Sequence, residues 1–241
     1  MLRGAIPENL HRLWAEEDAL IKWADGIIAS EPYLVEHVDL IEAYLDCIEA
    51  VRVAIPEGER HIALCGLHLR QFDSMSHALR AAMSGNYVGC VMYARGLVET
   101  EFLIDFLMEE AGRPEEWLSS DPGTAREKFG ANSVRIALDK RDGFMERKRK
   151  KRFDMLSAMG CHPRPSGLDL KRDGTRAINV GPFKQAKVLE ACIQELARAA
   201  LSGSKRLLQY CRSEIPSGSK RSSRLALAAQ RAFETHWPNN T

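Results

Sequence analysis

Residues 83–108 read MSGNYVGCVMYARGLVETEFLIDFLM, the longest mostly apolar run in the chain. Val88, Val91, Val98, Phe102 and Phe106 recur at helical steps, which marks one face of an α-helix. Gly85 and Asn86 suit its start, and Gly112-Arg113-Pro114 its stop. Two charges, Arg95 and Glu99, stand inside the apolar stripe. They are four residues apart, so their side chains meet on one face. A buried charge is costly unless it is paired and hydrogen-bonded. The pair is therefore expected in the bundle interior, within ion-pair reach. Two readings of it stay open: a structural pair that holds the core, or a pair that faces a cleft.

The same period extends in both directions. Upstream, residues 9–28, 33–55 and 60–83 read as three helices, with Pro32 at a first turn and Pro56-Glu57-Gly58 as a break. Downstream, residues 112–130 are rich in Pro, Gly, Ser and charge, and Trp117 and Phe129 are expected to pin them to the core. Helix resumes from residue 124 or 131 to 140, and again over 146–159. Two prolines and a glycine make CHPRPSG, residues 161–167, a loop. Asp173-Gly174 is a hairpin-turn dipeptide, so residues 170–181 form a small hairpin or an extended excursion. Residues 183–210 form a long helix that Gly203 divides. A Ser/Gly-rich basic linker (215–223), a short helix (223–233) and a frayed end (237–241) follow. The expected fold class is all-α, a helical bundle with an irregular loop or small hairpin excursion. Its expected organisation is an N-terminal helical segment (1–58), a helical core (59–212), and a flexible basic linker with a short C-terminal helix (213–241).

Composition narrows the function classes. The 241 residues carry a formal net charge of +1, so no global nucleic-acid-binding signature is present. Hydrophobic content of 45% is that of an ordinary globular chain. No run reaches the roughly 18 uncharged apolar residues that a transmembrane helix needs, so no membrane association is expected. The opening MLRGAIPENLHRLW has no apolar segment before a small-residue cleavage site, and no secretory leader is expected. Six cysteines are scattered without a CxxC, which suits core thiols, a reducing compartment and a cytoplasmic location. A phosphate-binding glycine loop, HExxH and a GxSxG elbow are missing from the sequence. His61 and His68 lack a clustered third ligand, so no metal site and no cofactor is expected.

Charge is nonetheless uneven. Residues 140–152 read KRDGFMERKRKKR, with eight Lys or Arg in thirteen positions. Arg147, Lys148, Arg149, Lys150, Lys151 and Arg152 are the candidate nucleic-acid-binding residues, able to cradle an RNA backbone or an acidic protein partner. A solvated helix face is the plainer alternative. Phe144 and Phe153 flank the cluster and are expected to anchor it in the core rather than to stack on bases.

The segment YVGCVMYARGLVETEFLIDFLMEEAGRPEEW (87–117) carries Arg95 and Glu99 as an Arg-x3-Glu pair. In the later segment LSAMGCHP (156–163), Ser157 precedes His162-Pro163. Together these motifs resemble the HEPN-like helical proteins of prokaryotic genomes, over residues 64–210. The resemblance implies an all-α HEPN-like bundle. It also implies one of two activities: a metal-independent ribonuclease of the toxin–antitoxin or antiviral-defence kind, completed across a homodimer, or a binding module without chemistry. The Arg-x4–6-His hallmark of the superfamily is met by Arg70 and His77 in RQFDSMSH, which the resemblance implies as a catalytic pair.

The residues support a physical view of the same motif. Arg70, Asp73 and His77 fall on one helical side at steps of three and four. An imidazole titrating near neutrality can move a 2′-hydroxyl proton. An arginine can steady a pentavalent phosphate, and Asp73 can orient the imidazole. A second candidate cluster is Arg95, Glu99 and His162, the last on a loop. Alternatively, His162 and Ser157 only hydrogen-bond the buried pair. Two function classes follow: an endoribonuclease or defence effector, and a non-catalytic helical binding or regulatory module with a structural Arg–Glu–His network. The first requires Arg and His converging in an open groove beside the basic cluster. The second requires His162 buried, with Arg70 and His77 turned apart toward water.

Overall fold

A single loop, Ser84-Gly85-Asn86, turns helix α3 (Glu59–Met83) into helix α4 (Tyr87–Leu107), and the two pack together along their length. The loop depends on its glycine. Gly85 has a φ of 77°, and a Cβ there would lie 2.7 Å from the Phe183 carbonyl oxygen. Asn86 caps α4, its Oδ1 accepting from the Gly89 N–H at 3.0 Å. The computed structural model describes residues 6–54, 58–144, 147–172, 178–214 and 220–237. Among them are ten α-helices and no strand. The fold is all-α.

Helix α1 (Glu8–Ser30) and helix α2 (Pro32–Ala54) precede the α3–α4 pair. Helices α5 (Arg113–Ser119), α6 (Pro122–Lys128), α7 (Ala131–Arg141) and α8 (Lys148–Leu156) follow it. α8 runs on into a π-helical turn (Ser157–Cys161), and a 3-10 segment (Pro165–Lys171) comes next. Helix α9 (Ala186–Glu214) and helix α10 (Lys220–His236) complete the chain. α4 packs on α3, α5, α7, α8, α9 and the π-helical turn. α2 packs on α1, α3, α9 and α10. One apolar core results, running from Ala24 to Trp237 and drawing on all three stretches 1–58, 59–212 and 213–241. Each fully buried Leu or Ile in it contributes about 1.5–3 kcal/mol.

Several elements differ from the sequence expectation. Residues 113–119 and 122–128 are helical, because Pro114 and Pro122 stand in first turns, where proline's missing N–H is harmless. Asp121 caps α6 by accepting from Gly123 N–H at 2.8 Å. Trp117 and Phe129 do pack on the core. Helix α9 runs unbroken through Gly203. The glycine there makes room for Tyr44, whose hydroxyl would lie 2.5 Å from an added Cβ. Arg172 and Ile178 form an isolated antiparallel bridge, while Asp173-Gly174 lies outside the described residues. Residues 215–219 of the expected linker also lie outside them, and the last helix already begins at Lys220. Trp237, expected at a frayed end, is 8% exposed and stacks on His37 with ring centroids 5.0 Å apart.

A buried polar knot joins α2 to α3. The Tyr44 hydroxyl donates to Gln71 Oε1 at 2.8 Å, and His68 Nδ1 lies 3.1 Å from the same oxygen. Tyr87 pins the entry to α9: its hydroxyl donates toward Phe183 O at 3.2 Å and accepts from Gln185 N–H at 3.1 Å.

Gly203→Ala should destabilise the protein by about 1–3 kcal/mol through overpacking, despite alanine's higher helix propensity. Tyr44→Phe removes the clashing oxygen, so the double variant should lose less than the sum of the singles in urea denaturation. Equal and additive losses would show that the contact is not made. Burial pushes His68 down to about 4, and burial with the His236 charge pushes His37 down to about 4. Both are neutral in the folded chain, whereas an unfolded imidazole takes its proton near pH 6.5, at about its ordinary pKa. Their stabilisation is therefore present above that pH and is lost as the pH falls toward about 4. Urea midpoints measured over this range should fall, and His68→Gln should flatten part of the slope.

Candidate functional site

Glu101, Asp105 and Glu109 follow one another at steps of four along one side of α4 and its C-terminal end. Cations from the surrounding helices meet them. Asp105 accepts from Arg141 Nη1 at 3.0 Å and Nη2 at 2.9 Å, and from Arg206 Nε at 2.6 Å. Arg141 also pairs with Glu109 and Asp142. Arg113 donates to Phe106 O at 2.6 Å and to Glu109 Oε2 at 3.0 Å, its guanidinium 4.1 Å above the Phe106 ring. Burial alone would raise the Asp105 carboxyl, but the Arg141 hydrogen bonds and the Arg206 charge outweigh it and hold it below the usual carboxylate range.

The result is a charged cleft of about 490 Å³ walled by Glu101, Lys148, Arg149, Arg152, Lys205 and Arg206. Glu101 is its anomaly. Oε1 accepts from the Ser202 hydroxyl, while Oε2 is out of solvent and has no hydrogen-bond partner among the described residues. Burial raises its carboxyl above the usual range, against the opposing charge of Arg152.

Arg95 and Glu99 do form the expected ion pair, at 3.1 Å, but not in the bundle interior. Their side chains retain 33% and 36% exposure. Arg95 spreads over Phe153, 4.6 Å from Cζ to the ring centroid, and Glu99 faces a groove. That groove, of about 580 Å³ between α3, α4 and α5, also holds Arg70 and Asp73. Its remaining wall is largely apolar, with Leu67, Leu103 and Trp117. His77 lies outside this wall. Its Nδ1 is 2.6 Å from the Asp73 main-chain oxygen, so the Asp73 carboxylate does not orient the ring, which stacks on Tyr93 at 5.3 Å.

His162 belongs to a third depression, of about 290 Å³, with Lys150, Asp154, Ser157 and Arg164. The π-helical turn, which supplies Ser157 to it, packs closely against α4. A Cβ on Gly160 would lie 2.9 Å from Met92 N, so only glycine permits the approach. His162 is exposed rather than buried, and Ser157 Oγ has no hydrogen-bond partner among the described residues. The expected hydrogen bond from Ser157 to the Arg95–Glu99 pair is not made. Among the described residues, no group of three or more His, Cys, Asp or Glu is placed to hold a metal ion.

The basic run is not one exposed face. Arg149 pairs with Asp139 at 2.9 Å and with Asp142. Arg152 pairs with Glu195 of α9 at 2.8 Å, and Lys150 with Asp154. Arg147 and Lys148 are exposed at the head of α8. Phe144 is half-buried and carries the Arg149 guanidinium 4.8 Å from its centroid. Phe153 is buried, as its anchoring role required.

Sequence reasoning missed Asp105, Glu101 and Arg135. The i, i+4, i+8 spacing of 101, 105 and 109 was the available signal for the first two. Nothing local marks Arg135, whose burial is decided by Phe153 from another helix.

Asp105→Ala should cost about 1.5–3 kcal/mol in chemical denaturation, because Arg206, 19% exposed, loses its carboxylate, while Arg141 keeps Glu109 and Asp142. Glu99→Ala should cost less than about 1 kcal/mol, the scale of a solvent-screened pair. The reverse order would place the structural pair at Arg95–Glu99 after all.

No family model matches the chain, and no curated protein or solved structure matches it.

Proposed function

We propose that the chain is a non-catalytic helical binding or regulatory module. The observation that carries this reading is the composition of the groove that holds Arg70, Asp73 and Glu99: no imidazole lines it. Metal-independent cleavage of RNA needs a proton-transfer group within hydrogen-bond reach of the reacting oxygens. His77 is engaged with Tyr93 and the Asp73 carbonyl, and His162, exposed where the module was expected to bury it, lines a different depression. In this reading the Arg95–Glu99 pair seats Phe153 and so fixes α8 on α4. An anionic partner, RNA or an acidic protein segment, suits the charge at the head of α8.

The ribonuclease reading has one observation on its side. His77 is exposed, Tyr93 beneath it is exposed, and Arg70 and Asp73 occupy the two preceding turns of α3. A HEPN-like enzyme completed by a second copy of the chain would use that surface.

Labelled RNA incubated without metal separates the two. The wild type should leave it intact, and His77→Ala and His162→Ala should give the same trace. Metal-free cleavage that either substitution abolishes would replace the module with the ribonuclease.

A further inference from the structure

Arg135 of α7 is 7% exposed, yet its Nε and Nη1 have no hydrogen-bond partner among the described residues. Its one polar contact is long, from Nη2 to Asn132 Oδ1 at 3.5 Å. The Phe153 ring lies 4.2 Å from its Cζ. A buried cation without an anion is costly, and an arginine cannot escape by losing its proton. Asp154, Glu99 and Asp139 lie near enough to oppose part of that cost, but none of them hydrogen-bonds the guanidinium among the described residues.

The space for one is present. Arg135 lines a pocket of about 560 Å³ between α7 and the head of α8, a volume in the small-molecule range. Lys140, Arg147 and Lys150 line it too, and Ile136 and Phe144 give it an apolar side. Asp139 is the acid in the wall, but Arg149 already holds its carboxylate at 2.9 Å. Lys150 shares its charge with Asp154, which leaves Arg135, Lys140 and Arg147 lining the pocket without a hydrogen-bonded carboxylate among the described residues. A guanidinium fork matches two oxygens of one tetrahedral anion, and a dianion suits several cations better than a carboxylate does. The first turn of α8 adds the positive end of a helix dipole beside Arg147.

We infer that this pocket binds a small organic phosphate, with the phosphoryl group on Arg135 and Arg147 and a flat apolar body against Ile136 and Phe144. The inference rests on the binding-module reading, of which it names the ligand class.

Calorimetric titration of the full chain with AMP, inorganic phosphate and adenosine at low salt tests it. AMP should bind, inorganic phosphate more weakly, and adenosine without measurable heat. Arg135→Met keeps the side-chain volume and removes an unpaired buried charge, so the variant should melt no lower than wild type. Its affinity for AMP should fall about 10- to 100-fold, the loss expected for hydrogen bonds to a charged group. Arg147→Ala changes an exposed position and should weaken AMP up to about fivefold, which keeps the test open should the first variant fail to fold. Absence of heat with both AMP and phosphate at about 1 mM would overturn the inference. So would adenosine binding as well as AMP, or unchanged AMP affinity in Arg135→Met. A 5′-phosphorylated RNA octamer binding more than about tenfold tighter than AMP would replace the small ligand with a strand end. Metal-free RNA cleavage would overturn the module reading while leaving these titrations intact. Failed AMP binding would remove the ligand without touching the cleavage result.

Discussion

Helix α4 cannot be buried by apolar packing alone, because one of its sides carries carboxylates every fourth residue. Glu101, Asp105 and Glu109 sit at the edge of the core, where an unanswered charge is costly. Arg113 of α5, Arg141 of α7 and Arg206 of α9 answer two of them directly. The charge on α4 therefore orients the helices that its apolar face attracts. Hydrophobic burial gives the bundle its stability but is non-directional. Bidentate arginine–carboxylate geometry is directional, and at Asp105 it fixes how α7 and α9 lie against α4.

The same constraint explains the basic run. Eight cations in thirteen positions look like a surface aimed at an external polyanion. For Arg141, Arg149 and Arg152 the counter-charges are inside the chain but distant in sequence or displaced by a turn: Asp105 on α4 and Glu109 just past it, Asp139 and Asp142 around the end of α7, Glu195 on α9. A linear charge count cannot see partners that arrive through tertiary packing. Net charge near zero was the better guide, since it says that most cations have an anion available.

What was legible in the sequence was whatever local periodicity determines. Helices α1 to α4 and the Ser84-Gly85-Asn86 turn follow from apolar spacing, proline position and capping chemistry. The misread elements are those where one residue type serves two purposes. Pro114 and Pro122 begin helices although prolines also break them, and Gly203 makes room for Tyr44 although glycines also end helices. The Arg95–Glu99 pair was legible as a pair from its spacing, but not in its exposure. Helical phase says that two side chains meet; it does not say which neighbour covers them. Here the neighbour is Phe153, and it covers Arg95 only in part.

Phe153 links these levels. It is buried between two guanidiniums, Arg95 of α4 at 4.6 Å and Arg135 of α7 at 4.2 Å. An aromatic face attracts a cation by about 0.5–2 kcal/mol, so the ring holds both without supplying a counter-ion. Arg95 has Glu99 for that purpose, while Arg135 has no hydrogen-bonded acid among the described residues. Two chemically alike contacts to one ring thus differ in how closely a carboxylate answers them. On the α4 side Glu99 pairs with the guanidinium, although Arg95 Nε has no hydrogen-bond partner among the described residues. On the α7 side Asp154, Glu99 and Asp139 act without a hydrogen bond among the described residues, and the guanidinium adjoins a pocket lined by further cations. A helix that had only to pack on Phe153 would do so at lower cost with methionine or leucine at position 135. The arginine there, buried and incompletely bonded, is a cost that packing on Phe153 does not explain.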